Sequence, residues 1–240
     1  GARRELRFYR ELGGVVPVRV PRLLDAWDGA EGVAVLLAAA GEPRDPAAWG
    51  VATWAAVGGG LAALHAMPPP VAEEWSREDS LLAALAAPDA PAVAGFWAEA
   101  LPCLPELLSR RAELRELLAS SPSAFVHGDC HAHNILHGTG APVFCDWQAA
   151  GLGRVATDLA FLSVRATPAG VAVPRALLDA YLAGDGTCDR PALERALVAE
   201  ELAVFLVLWP PFAAFNSATG VDRVRRRVRR LAERFLGEPR

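Results

Sequence analysis

Residues 124–148, AFVHGDCHAHNILHGTGAPVFCDWQ, gather four of the five histidines in the chain together with two aspartates and an asparagine. Short apolar runs alternate there with polar loops, the pattern of strand, loop, strand, turn and strand. Asp129 follows the strand expected over Ala124–Val126, Asn134 comes five residues later, and Asp146 follows a turn marked by Gly138-Thr139-Gly140-Ala141-Pro142. A turn centred on Gly140 makes Ile135 face Cys145, Leu136 face Phe144, His137 face Val143 and Asn134 face Asp146. Opposed side chains in such a hairpin lie roughly 5 Å apart. An amide oxygen and a carboxylate oxygen then converge on one point. A hard cation such as Mg²⁺ takes such ligands, few from protein and the rest from phosphate and water. Asp129 supplies the other need of phosphoryl transfer, a carboxylate that accepts or orients the acceptor proton. The reading is sensitive to register, because a slip of one residue sends the two side chains to opposite faces.

His127-Gly128-Asp129-Cys130-His131-Ala132-His133-Asn134 resembles the HGDxxxxN signature of the aminoglycoside phosphotransferase-like small-molecule kinases, choline kinase types included. Asp146-Trp147-Gln148 resembles their DW motif, Asp158-Leu159-Ala160 the DLA that follows it, and Leu64-His65-Ala66 the LHA that ends a helix of the C-terminal lobe. The likeness runs through nearly the whole chain, from about Arg4 on. It implies an α+β, protein-kinase-like fold, with a truncated N-terminal lobe over residues 1–42 and a large, mainly helical C-terminal lobe over 43–240. It implies transfer of phosphate from ATP, with Mg²⁺, to a hydroxyl of a small molecule. By position, Asp129 is the catalytic residue, Asn134 and Asp146 hold the metal, and His127 and Asp158 brace the loop. Glu5 resembles the helix glutamate that pairs with a lysine on the ATP phosphates. Val33–Ala40 resembles the strand and hinge that meet adenine.

The sequence departs from that pattern in one respect. Members of the family place a hairpin and a lysine-bearing strand before the helix that contains Glu5, whereas this chain starts at that helix and holds no lysine. Two expectations follow: a piece of a working kinase, or a degenerate kinase fold that binds a ligand or partner without turnover.

The elements that must position these residues are read from periodicity and breakers. A helix is expected over residues 2–12, ended by Gly13-Gly14, then strands at Val18–Ala26 and Val33–Ala39. Helices are expected at Ala47–His65, Ser80–Ala87, Ala92–Ala119 with breaks at Pro102 and Pro105, Arg175–Ala183, Pro191–Leu208 and Val221–Leu236. Gly58-Gly59-Gly60 lacks the GK[ST] ending of a phosphate loop and reads as close helix packing. Trp209, Phe212 and Phe215 are candidates for an acceptor pocket. Glu73, Glu74, Asp185, Asp189, Glu200 and Glu201 are candidates for a cationic acceptor; an apolar pocket at Trp209 favours another alcohol.

Composition narrows the classes. Hydrophobic residues make up 52%, enough for a sizeable core, and a net charge of −4 argues against a nucleic-acid binder. The eight arginines of residues 221–240 alternate with Val221, Val224, Val228, Leu231 and Phe235, as on an amphipathic helix with a solvated basic face. The apolar run Leu202–Phe215 is shorter than the roughly 20 residues of a membrane span. Cys103, Cys130, Cys145 and Cys188 form no CxxC pair, and Cys130, His131, His133, His137 and Cys145 fit no closed zinc spacing. The expectation is a cytoplasmic protein acting on a small hydroxylated acceptor, with neither nucleic acid nor membrane as partner.

Overall fold

In a computed structural model, residues 1–70, 72–184 and 189–237 are described; Asp185 and Cys188 lie outside them. The chain is α+β. It opens with α1 (Ala2–Glu11), β1 (Leu23–Gly29), β2 (Gly32–Leu37) and β3 (Glu42–Pro43). Helices α2 (Val51–Ala66), α3 (Ala72–Trp75), α4 (Ser80–Ala86), α5 (Ala90–Trp97), α6 (Leu104–Ser109) and α7 (Arg111–Ala119) follow. Then come β4 (Ser123–Val126), β5 (Ile135–His137), β6 (Val143–Phe144) and β7 (Gly151–Arg154). The chain ends on α8 (Val155–Ala166), α9 (Arg175–Gly184), α10 (Arg190–Ala203) and α11 (Ala218–Gly237). Among the described residues, no single helix is long and apolar enough to cross a membrane.

Local chemistry accounts for several boundaries. Asp79 and Asp89 cap α4 and α5 by accepting from Leu82 N and Ala92 N, each at 3.0 Å. The stretch expected over residues 92–119 is interrupted between α5 and α6, where Pro102 lies. Pro105 does not break a helix; it opens α6, where a missing N–H costs nothing. The expected single helix at 191–208 is α10 followed by a π-helical turn, Val204–Leu208, whose Leu206 carbonyl accepts the Trp97 indole N–H at 3.1 Å. The first strand starts at Leu23 and not Val18, because Pro21 has no donor for a ladder. Arg19 instead bridges to β6, with Phe144 N donating to Arg19 O at 2.8 Å.

Strands form three small sheets: β1–β2, β3–β5–β6 and β4–β7, every named pair antiparallel. Two apolar cores fill the space between helices and strands. One joins α4–α7 to α10 and α11 through Trp97, Leu202 and Phe205. The other holds Phe8, Leu61, Phe125, Phe144, Trp147 and Tyr181, and the candidate site sits on its margin. A buried ionic link ties the two. Arg154 at the end of β7 donates through Nε and Nη2 to the two carboxylate oxygens of Glu200 on α10, each at 2.8 Å, and also binds Asp79. Thr157 Oγ1 donates to the same Glu200 at 2.9 Å. These partners hold the Arg154 pKa above its ordinary value against the opposing effect of burial.

Helix α2 lies against α9, and the glycine triplet shows why. A Cβ on Gly58 would collide with the Leu177 carbonyl, whereas one on Gly59 would meet nothing within 4 Å. Gly58→Ala should therefore destabilise the protein by about 1–3 kcal/mol through overpacking. Gly59→Ala should be neutral or stabilising by up to about 1 kcal/mol, since alanine is the better helix former. Urea unfolding of the two variants side by side checks this; equal losses would remove the packing explanation.

Candidate active site

Residues 127–134 form a loop between β4 and β5, and its backbone is held from below by Asp158 in the first turn of α8. The Asp158 carboxylate is fully buried and accepts from His127 N and Gly128 N, each at 2.8 Å. It also accepts the His65 Nε2–H at 3.1 Å, and the Tyr181 hydroxyl meets His65 Nδ1 at 2.9 Å. Burial alone raises the Asp158 pKa; the His65 hydrogen bond and the neighbouring His65 and His127 rings outweigh it and hold it below the usual carboxylate range. Gly128 takes φ +82°, and a Cβ there would strike the Ala149 carbonyl, so the turn demands glycine.

His127 links this loop to the DW segment. A carbonyl can only accept, so Nε2–H donates to Cys145 O at 2.9 Å, and Nδ1 is left to accept Asp129 N at 3.3 Å. Burial pushes the His127 pKa down, consistent with a neutral ring. The imidazole lies 4.5 Å from the Trp147 ring, and Phe8 of α1 stacks on Trp147 at 4.0 Å and 6°. Arg4 secures α1 by donating to Ala150 O at 2.9 Å and Ser76 O at 2.8 Å.

The hairpin register differs from the expected one by a single residue. Ile135 pairs with Phe144 and Leu136 with Val143, and Cys145 N donates to Asn134 O at 2.9 Å, so Asn134 faces Cys145 and not Asp146. The cause lies outside the hairpin: the Arg19 guanidinium binds Thr139 O at 2.8 Å and Ala141 O at 2.7 Å and fixes where the turn falls. Asp146 has left strand geometry altogether. It adopts φ 62°, ψ 67°, the left-handed region, so simple strand alternation no longer dictates where its side chain points. Its charge acts on His127, Glu5, Tyr9 and Cys145, the last of which has a thiol pushed up to about 11, first by burial.

Asp129 and Asn134 are in direct contact. Asn134 Nδ2 donates to Asp129 O at 3.0 Å and lies 3.4 Å from Asp129 Oδ2, which turns both amide hydrogens to Asp129 and leaves Oδ1 as an acceptor. Burial raises the Asp129 pKa, but His131, with Nε2 3.6 Å from Oδ2, and then the nearby His127 ring and the Arg165 charge bring it below the usual range. Glu5 is half-buried beside Asp146 and accepts the Trp147 backbone N–H. Its pKa is raised, first by burial and then by the Asp146 charge. Tyr9 Oη is buried next to these acids with no hydrogen-bond partner among the described residues. Two carboxylates side by side and an orphaned hydroxyl suit a hydrated divalent cation that takes few protein ligands. No three His, Cys, Asp or Glu side chains gather on one point among the described residues, so the Cys/His set does not assemble a closed site.

A cavity of about 1050 Å³ opens next to the loop. His131, His133, Arg165, Trp209, Phe212 and Phe215 line it, so both candidate pocket residues, Trp209 and Phe212, reach it. Sequence reasoning missed three contributors: His131 and Arg165 at Asp129, and His65 as the support of Asp158. His65 lies in a short motif that named no role, and His131 reads as a possible thiol-and-imidazole metal ligand. Only the fold reveals that Arg165 approaches a loop 36 residues earlier.

The charged state of Asp158 makes a test possible. Asp158→Asn keeps the shape but weakens three hydrogen bonds to a buried acceptor, and should cost about 2–3 kcal/mol at pH 7. A lowered folded-state pKa gives stability that is present above the unfolded value and is lost as pH falls through the folded one. The gap between wild type and variant should therefore close in acid, below the usual carboxylate range. Denaturant titrations at neutral and acidic pH measure it; a gap unchanged at acidic pH would mean that the charge plays no part.

Comparison with known proteins places this architecture. No curated protein matches the chain. Solved structures match over almost its full length. A choline/ethanolamine kinase family protein from Mesorhizobium loti has 22% identity and a TM-score of 0.67, covering 97% of this chain and 79% of that one. Amicoumacin kinase hAmiN in complex with AMP-PNP, Ca²⁺ and Ami has 16% identity and a TM-score of 0.61, covering 94% and 76%. Aminoglycoside phosphotransferase APH(3'')-Id from Streptomyces rimosus, in complex with ADP and streptomycin, has 19% identity and a TM-score of 0.54, covering 93% and 82%. These likenesses show the protein-kinase-like fold of the small-molecule kinases. The sequence profile of the Phosphotransferase enzyme family (APH) matches residues 1–210, and the chain belongs to that family.

Proposed function

We propose that the chain carries the catalytic lobe of an ATP- and Mg²⁺-dependent kinase that phosphorylates a hydroxyl of a small molecule. The observation that carries this reading is the contact of Asp129 with Asn134 on a loop that His127 ties to the Asp146 segment, with a cavity opening beside His131. Asp129 would accept or orient the proton of the acceptor hydroxyl, and its low pKa keeps it available for that at neutral pH. Asn134 Oδ1 and the Asp146 carboxylate would hold Mg²⁺. Mg²⁺ held by those two residues would supply positive charge to offset that of the phosphates. His127 positions Asp129 through its backbone N–H, and Asp158 fixes the loop. Trp209 and Phe212 would line the acceptor side. Residues 1–42 would belong to the nucleotide side and 43–240 to the catalytic and acceptor side. Nucleotide complexes of amicoumacin kinase and of the Streptomyces rimosus enzyme support ATP as donor.

A second reading has one observation in its favour. Glu5 resembles the family's helix glutamate, and its carboxylate, half-buried beside Asp146, makes no ion pair among the described residues. Under that reading, the fold binds Mg²⁺–nucleotide or acceptor without turnover.

Asp129→Asn should lower phosphate transfer by about 10²–10⁴-fold and leave Mg²⁺–AMP-PNP affinity intact. Asp146→Ala and Asn134→Ala should weaken that affinity, Asp146→Ala more because it removes a charge. Calorimetric titration with Mg²⁺–AMP-PNP and a radiolabelled transfer assay distinguish the readings. Unchanged turnover in Asp129→Asn would reject its assignment, and unchanged affinity in both metal-site variants would reject theirs.

A further inference from the structure

The cavity beside Asp129 has a chemical character that goes beyond the transfer reaction. We propose, building on the reading of Asp129 as the hydroxyl-handling residue, that the acceptor is a bulky alcohol of mainly apolar body without cationic groups, and that Arg165 enforces the exclusion of cations.

The lining carries the argument. Phe161, Val164, Leu208, Trp209, Phe212 and Phe215 form its apolar wall. Phe212 and Phe215 belong to a short 3₁₀ segment, Pro210–Phe215, and are 48% and 85% exposed, an apolar surface that a ligand would cover. At about 1050 Å³ the cavity is at the top of the range for drug-sized ligands, which run from about 300 to 1,000 Å³. A compact alcohol would leave most of that wall wet.

Charge points the same way. The charged side chains in the lining are Arg44, Arg165 and Asp45. Asp45 already spends a carboxylate oxygen on Ala47 N at 2.8 Å. Arg165 makes no hydrogen bond or ion pair among the described residues, and its charge acts on Asp129. An ammonium group delivered next to Asp129 would meet that guanidinium. Acids that a polycationic acceptor would need are elsewhere. Glu200 is paired with Arg154, Glu201 with Arg227 at 2.7 Å, and Glu74 with Arg7 at 2.5 Å. Glu73 and Asp189 do not line the cavity. Glu201 instead faces a separate cavity of about 420 Å³ on the other side of α8, among Arg223, Arg226 and Arg230.

One hydroxylated sterol in three forms tests the idea: its carboxylic acid, its methyl ester and its aminoethylamide, with an aminoglycoside as fourth ligand. Affinity is measured by calorimetry on the full chain with Mg²⁺–AMP-PNP present, and transfer is followed separately with labelled ATP. The acid and ester should bind at least 10-fold more tightly than the aminoethylamide and the aminoglycoside. Arg165→Glu, a change at an exposed position, should reverse the order of the acid and the aminoethylamide. Equal or tighter binding of the cationic forms by the unaltered chain overturns the proposal, and so does failure of all three sterols to bind while Mg²⁺–AMP-PNP binds. The expected binding order without any phosphate transfer would leave the pocket's selectivity standing and overturn the kinase reading alone.

Discussion

A single buried carboxylate holds the site together. Asp158 takes the backbone N–H groups of His127 and Gly128, and no other described group accepts either of them. A buried charge is costly unless hydrogen bonds replace its water, and here three donors do so. Its place in the first turn of α8 adds the favourable end of the helix dipole. The interaction therefore joins elements that are remote in sequence: the loop, α8, α2 through His65 and α9 through Tyr181. The close contact at Gly58 is a second part of the same arrangement, because it brings α9 near enough to α2 for Tyr181 to reach His65.

The upper side of the loop depends on rings. Trp147 has Phe8 on one contact and His127 on another, and its indole N–H is spent on Phe144 O at 3.0 Å. Through this stack, the position of α1 bears on the loop that carries Asp129. Glu5 lies on the same helix as Phe8, so docking of that helix brings a second carboxylate up to Asp146. Burial, and then the Asp146 charge, raise the Glu5 pKa.

Much of this was legible in the sequence, and the failures have identifiable physical causes. The HGDxxxxN spacing placed Asp129 and Asn134 on one loop, and the apolar periodicity located α1, α2, α9 and α11 to within a few residues, whereas α8 was not expected. The hairpin register was missed because Arg19, more than a hundred residues away, decides where the turn falls. Local turn chemistry carries no trace of such a partner. The direction of Asp146 could not be read from strand alternation either, since that residue adopts a left-handed conformation uncommon outside glycine. Acids at 200 and 201 looked available in sequence, but the fold had committed them to Arg154 and Arg227. Charge in a sequence gives a count; only packing shows which charges are already neutralised.

The link from Arg154 to Glu200 has a consequence for biosynthesis. Asp129 and its loop leave the ribosome before Tyr181 and Glu200 exist, and at 5–20 residues per second the interval from residue 129 to residue 200 lasts roughly 4–14 s. During that time, His65 lacks its hydroxyl partner and Arg154 has only Asp79. Phe205 and the apolar face of α11, which close the helical core, arrive later still. The nascent chain thus passes through a stage with a finished loop sequence, unfinished supports and open apolar surface, and it is over this stretch that a holding chaperone would have most effect on yield.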